Sequence, residues 1–326
     1  MKYIKKCIKL HILTILLTTL IILVYLKGAI LITLDIIYQT KVSNKSIATI
    51  YELNDYYPST NMDINKLKYK ESNSDNVYID IYKSKKQNSP SPVVIYVHGG
   101  SWIFGNNGIP IGMEPVIEAF NKKGFTIISL SYELLREDIP ISKPISDVKD
   151  AIRWVYKNKE EYNFDTDEIG LIGVSSGAHL SLLAAYSDDK EFIDDRRLAE
   201  YPSKVKYVID VFGPTELSTL DFSIIDEDIR DDITALKNID IIKNIYSPIY
   251  YVDENSPSTL IIHSKEDEIV PYENALSLYQ RLKNKNIDTK LLTLKSGSHN
   301  FEGYEPKEVF YLIYEIFKFL TYNTRL

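Results

Sequence analysis

Short, continuous apolar runs recur along this chain. They are Val93–Val97, Thr126–Ser131, Ile169–Gly173, Tyr207–Phe212, Leu260–His263 and Lys290–Leu294. Strands buried on both faces read this way, because neither face needs polar positions. Between them lie stretches with helical spacing: Ile111–Lys123, Ser146–Glu161, Ser176–Tyr186, Tyr272–Lys285 and Lys307–Tyr322. Upstream, Leu67–Lys70 and Val77–Tyr82 alternate with period two around Ser72-Asn73-Ser74-Asp75-Asn76, which predicts an antiparallel hairpin. Strands alternating with helices predict an α/β fold: a mostly parallel central sheet with helices on both faces. The stretch Thr215–Pro257 breaks the alternation and is acidic around Asp226–Asp232, so it is expected to pass over the top of the sheet. No internal repeat is visible.

The N-terminus follows a different pattern. Leu10–Leu26 is apolar except for His11 and three threonines. At the helical rise it spans about 25 Å, and its flanks extend it toward the thickness of a bilayer core. Four lysines precede it, which predicts a cytoplasmic N-terminus and an exported body. A signal peptide would need a small-residue cleavage site, and LKGAILITLD supplies no A-x-A pattern. The expectation is a transmembrane anchor over 1–40, a polar linker over 41–65 and a catalytic domain over 66–326. That places the protein at the cell membrane with its domain outside the cytoplasm, secretion after cleavage being the alternative.

Charge narrows the function. The 326 residues carry 38 Lys+Arg and 45 Asp+Glu, for a net charge of −7. Residues 1–40 net +4 and the remainder −11. A body this acidic lacks the basic footprint that nucleic acid requires. Cys7 is the only cysteine, so the exported part holds no disulfide. Asp165, Asp167 and Glu168 read as a solvated loop entering a strand rather than a Ca²⁺ site, and no metal or cofactor is implied.

Gly173-Val174-Ser175-Ser176-Gly177 fits G-x-S-x-G and stands between an apolar strand and a helical stretch, the context that motif needs. Glycine two residues either side lets the backbone pack closely around a strained turn that projects the Ser175 hydroxyl. His98-Gly99-Gly100-Ser101-Trp102 follows the strand Val93–Val97. Two glycines there free backbone N–H groups to meet a developing oxyanion, with the N–H of Ser176 as the further donor. A serine nucleophile needs a base and an orienting acid. Of five histidines, His11 lies in the apolar run and His98 in the glycine turn. His179 points off the wrong face of its helix, and His263 ends a strand as a satisfied core histidine. His299, in a polar loop after the last strand, remains. For the acid, Glu266, Asp267 and Glu268 stand together after the penultimate strand.

Taken together, these residues resemble the HGGG-type carboxylesterases of the α/β-hydrolase superfamily, the branch grouped with hormone-sensitive-lipase-like and feruloyl or acetyl-xylan esterases. The resemblance covers about Leu67 to Leu320. His98–Trp102 resembles HGGGW with Ser101 for the third glycine, and Ser175–Leu180 resembles SAGGHL. His263–Pro271 resembles H-G-x-x-D-x-x-V-P, and Asp147–Val155 resembles the helix before the nucleophile strand. Ser131-Tyr132 resembles S/N-Y-R-L, with Glu133 where Arg is usual. The resemblance implies a triad of Ser175, Asp267 and His299, and an oxyanion hole of Gly99, Gly100 and Ser176. It implies Trp102 at the substrate site, and a small-molecule ester or acylated glycan as substrate. Two other functions share parts of the pattern. A serine peptidase of prolyl-oligopeptidase type shares the triad order, but HGGSW favours esters and the chain is too short for an added propeller. A binding protein on a dead hydrolase fold would have no use for the three candidate triad residues, all of which are present.

Overall fold

The computed structural model describes residues 58–325 except 73–76, 87, 225–226, 235–238, 300–303 and 305. Residues 1–57, with the expected membrane anchor and most of the linker, lie outside the described residues. Among the described residues no helix is long and apolar enough to cross a membrane.

Eight strands form one sheet: β1 (Ile64–Lys68), β2 (Tyr78–Tyr82), β3 (Ser91–Val97), β4 (Thr126–Leu130), β5 (Phe164–Val174), β6 (Tyr207–Val211), β7 (Ser258–Ser264) and β8 (Thr289–Leu294). Their order is β1-β2-β4-β3-β5-β6-β7-β8. The pairs β1–β2 and β2–β4 are antiparallel, and every pair from β4 to β8 is parallel. The helices are α1 (Glu114–Lys123), α2 (Ser142–Lys157), α3 (Lys159–Tyr162), α4 (Ser176–Tyr186), α5 (Glu227–Thr234), α6 (Ile239–Ile245), α7 (Tyr272–Asn284) and α8 (Pro306–Asn323).

The alternating sides of the strands feed two cores. Val93, Ile95 and Val97 of β3 join Val148 and Ile152 of α2, Leu180 and Leu183 of α4 and Leu278 of α7. Val94 of the same strand joins Ile117 and Phe120 of α1 and Phe317 and Leu320 of α8. Each such side chain removed from water contributes roughly 1.5–3 kcal/mol before the entropy of ordering it. Both faces are thus covered, as the continuous apolar runs require.

The structure corrects several boundaries. The folded body takes in Pro58–Asp63, assigned above to the linker: Pro58 bridges Pro110, and Ser59 N–H donates to Ile109 O at 2.7 Å. The first strand begins at Ile64 rather than Leu67, with a register shift where Lys66 adopts φ 49° and donates its N–H to Asp80. The strand before the nucleophile begins at Phe164, so Asp165, Asp167 and Glu168 belong to β5 and not to a loop. Ser91 and Pro92 pair with Phe164 and Asp165 before the register shifts to Val93 and Ile169. Glu168 is buried and takes Lys206 Nζ at 2.7 Å, which accounts for an acid inside the sheet. The predicted helix 146–161 starts earlier, at Ser142, and breaks at Asn158 into α2 and α3. The 215–257 excursion carries α5 and α6 and is pinned to α7, where Asn274 Oδ1 accepts the N–H groups of Thr215 and Glu216.

Candidate active site

The site forms at the carboxyl ends of β3, β5, β6 and β7. Ser175 sits between β5 and α4 with φ 53° and ψ −121°, a conformation that side chains rarely adopt. Its N–H donates to Val211 O at 2.8 Å, tying the turn to β6, while its carbonyl accepts from Ala178 and His179. Only glycine fits at 177, because a Cβ there would strike the carbonyl oxygens of Val97 and His98. That close approach brings the end of β3 alongside the start of α4. Ser176 opens α4, where the first N–H groups have no intrahelical acceptor.

The β3 turn is held in an unusual shape. Gly100, Ser101 and Trp102 all have positive φ, at 119°, 50° and 66°. Gly99 runs beside Val174 O and Ser175 Cβ, so this turn passes next to the serine. His98 fixes the turn from beneath: its Nδ1–H donates to Gly99 O at 2.7 Å and its ring stacks on Tyr132 at 4.3 Å. Tyr132 in turn donates its hydroxyl to His98 O at 3.1 Å. Burial pulls His98 down to about 4, so the imidazole is neutral.

His299 Nε2 lies 2.8 Å from Ser175 Oγ, and His299 Nδ1 lies 2.8 Å from Asp267 Oδ2. The carboxylate accepts the Nδ1–H, which leaves Nε2 free to accept from the serine hydroxyl. Asp267 Oδ1 also accepts the N–H groups of Ile269 at 3.0 Å and Val270 at 2.8 Å. Burial alone would raise this carboxyl. Hydrogen bonds from His263, His299 and the Val270 N–H outweigh it and hold Asp267 well below the usual carboxylate range. Asp267 and His299 are both under a tenth exposed, and Phe212 covers the histidine at 5.9 Å between ring centres. The structure therefore brings together Ser175, His299 and, of the three adjacent acids, Asp267. Glu266 and Glu268 instead reach the backbone N–H groups of Gly297 and His299.

Trp102 is buried, and its indole N–H donates to His179 Nδ1 at 3.1 Å. His179 Nε2–H donates onward to Tyr246 O at 2.8 Å. Burial lowers His179 to about 4, so it too is neutral. These three residues join the β3 turn, the nucleophile helix and the 215–257 excursion. The sequence gives no sign of this link, since its members lie far apart in the chain. Among the described residues no group of three or more His, Cys, Asp or Glu is arranged to hold a metal ion.

A family model described as BD-FAE matches residues 79–282, more than half of the chain. The chain belongs to the BD-FAE family. The matched BD-FAE segment holds Gly99, Ser175 and Asp267, and His299 lies past its end. Esterase LipC of Mycobacterium tuberculosis is 28% identical over 242 residues, 69% of this chain and 57% of that protein. The probable carboxylic ester hydrolase LipM of the same organism is 25% identical over 206 residues, 59% of this chain and 45% of that protein. The chain thus spans about half the length of the curated relatives it matches. Among solved structures, apo Thermogutta terrifontis esterase 2 superposes with a TM-score of 0.66 at 20% identity, covering 81% of this chain and 95% of that one. A truncated carbohydrate esterase from gut microbiota gives a TM-score of 0.64 at 23% identity, covering 81% and 99%. These likenesses show the α/β-hydrolase fold for this BD-FAE chain.

Proposed function

We propose that the chain is a serine carboxylesterase that hydrolyses short-chain acyl or acetyl esters through an acyl-enzyme. The observation that carries the reading is the unbroken line from Ser175 Oγ through His299 to Asp267, each link 2.8 Å long. Ser175 attacks the ester carbonyl as His299 Nε2 takes its proton. Asp267 keeps the imidazole in the needed tautomer and stabilises the imidazolium. The N–H groups of Gly99, Gly100 and Ser176 face the tetrahedral oxyanion. His299 then protonates the leaving alcohol, and water, deprotonated by the same imidazole, releases the acid.

Relatives named as esterases support ester chemistry, and a neighbour named as a carbohydrate esterase makes an acylated glycan a reasonable substrate class. Trp102 supports the substrate site from behind by bracing the β3 turn. Residues 1–40 anchor the domain to the outer side of the cell membrane, a reading that rests on the apolar run and the lysines before it.

The test is hydrolysis of p-nitrophenyl acetate, butyrate and octanoate by the full chain beside Ser175→Ala. Turnover by the wild type alone, falling from acetate to octanoate, is expected. Equal turnover by the alanine variant would end the proposal. For topology, protease added to intact cells should remove the domain, whereas cleavage only after lysis would reverse the assigned orientation.

A further inference from the structure

His263, next to last in β7, is fully buried. Its Nε2 lies 2.9 Å from Val270 O and 3.1 Å from Asp267 Oδ2. Both are acceptors, so Nε2 carries the hydrogen and donates to them. Asp267 Oδ2 therefore receives two imidazole N–H groups, one from His263 and one from His299. The sequence reads His263 as a satisfied core histidine, yet only one of its ring nitrogens is satisfied. Its Nδ1 makes no hydrogen bond to another described group, and neither does Oδ2 of Asp210 on β6.

The two atoms do not bond to each other. The register pairs Asp210 with Ile261, so Asp210 and His263 project from one face of the sheet at diagonal positions on neighbouring strands. The other Asp210 oxygen accepts the Gly213 N–H at 2.8 Å. Burial pushes Asp210 up to about 7, with the Gly213 N–H working against it. The other groups around the pair are Tyr186 of α4, which faces Asp210, Tyr272 of α7 at 6.2 Å from the His263 ring, and Asp267 with His299 beyond it.

We propose that His263 is a positioning residue for the acyl-transfer reaction: its Nε2–H shares Asp267 Oδ2 with the His299 imidazole, draws on the charge of that carboxylate and so moderates its hold on the His299 imidazolium. This rests on the esterase reading above. A carboxylate oxygen shared between two donors attracts each less than it would attract one alone. Removing His263 concentrates the charge on His299 and keeps its proton bound to higher pH.

The experiment is the pH profile of kcat/KM for p-nitrophenyl acetate, measured on the full chain for wild type, His263→Leu and His263→Gln. In His263→Leu the acid limb moves up by about half to one pH unit with KM within about twofold. In His263→Gln, whose carboxamide N–H reaches the same acceptors, the limb returns toward the wild-type position. A limb unmoved in His263→Leu would mean that His263 only fills the core, and would overturn the inference. The second measurement is ¹⁵N NMR of selectively histidine-labelled wild type at pH 7, with His263 assigned by its loss in His263→Gln. A protonated Nε2 is expected, and an unprotonated Nε2 would overturn it. The NMR reading needs no turnover, so an inactive but folded wild type would defeat the esterase proposal and leave this one to be decided separately.

Discussion

Lys70, just past β1, and Asp147 of α2 form an ion pair in which neither side chain is exposed. Asp150, one turn on, also lies 3.1 Å from the same ammonium and takes Arg153 Nη1 at 2.8 Å. The Asp147 carboxylate reaches the site as well, since its Oδ2 accepts the N–H of Glu133 at 2.7 Å, in the segment that follows β4 behind the β3 turn. Glu133 stands where the resemblance expects arginine, and its own partner is Arg136 at 2.8 Å. The nearer cation at Asp147 therefore comes from Lys70, an early residue that crosses to α2, with Lys143 of α2 at 3.7 Å. Burial works against the Lys70 charge, and Asp147 and Asp150 outweigh it, holding the ammonium protonated.

Removing that cation leaves the buried Asp147 with only Lys143, 3.7 Å away, as a charged partner. Lys70→Ala is expected to cost about 3–5 kcal/mol of folding stability, since breaking a buried pair leaves an uncompensated charge. Urea denaturation of the full chain checks this. A loss under about 1 kcal/mol would mean that Lys143 and Arg153 balance the cluster without it.

Asp267→Asn changes the tautomer of His299 and also takes an acceptor from His263 Nε2–H. An Asn amide turned toward His299 donates to Nδ1, which forces the imidazole hydrogen onto Nε2 and removes the base facing Ser175. A fall in kcat of about three to four orders of magnitude is expected, with an unchanged far-UV spectrum. Near-wild-type kcat would mean that a different acid orients His299.

Asp210→Asn tests the buried carboxyl through stability. The folded value is about 7 and the ordinary value 3.8, so the native state binds the proton more tightly. Ionisation therefore costs nothing below about pH 4, costs progressively more between about 4 and 7, and costs its full amount above 7. Replacing Asp210 with a neutral isostere should raise the melting temperature at pH 8 and have a smaller effect at pH 4.5. Equal shifts at both pH values would contradict the assignment.

Gly177 sets how closely α4 approaches β3. Gly177→Ala forces a Cβ against the carbonyls of Val97 and His98. Overpacking of this kind costs about 1–3 kcal/mol, and here the strain falls on the turn that carries Ser175. The expected result is a destabilised chain whose kcat falls more than its KM rises, measured by thermal melts and steady-state kinetics. Unchanged kcat in a folded variant would show that the contact is not needed to place the serine.

The parallel strands were legible because burial on both faces leaves uninterrupted apolar runs such as Val93–Val97. The start of β5 was hidden, since Asp165, Asp167 and Glu168 look solvated until Lys206 and the pairing with Ser91 and Pro92 are seen. The half-exposed β1 carried too few apolar positions to fix its beginning. Ser175 and the β3 turn were legible because their glycines are local demands of backbone geometry. Asp267 could be separated from Glu266 and Glu268 only by resemblance, because their difference is one of direction in space. Neither the Trp102–His179–Tyr246 link nor the His263–Asp267 contact has a local signature. Each depends on elements that meet only in the folded chain.

The central claim is that Ser175 becomes acylated. The direct measurement is acid quenching of the full chain during turnover of p-nitrophenyl butyrate, followed by mass spectrometry of the peptide that contains Ser175. A butyryl group on Ser175 of the wild type, absent from Ser175→Ala, is the result this account predicts. Ester hydrolysis with Ser175 unmodified, or undiminished in Ser175→Ala, would contradict it.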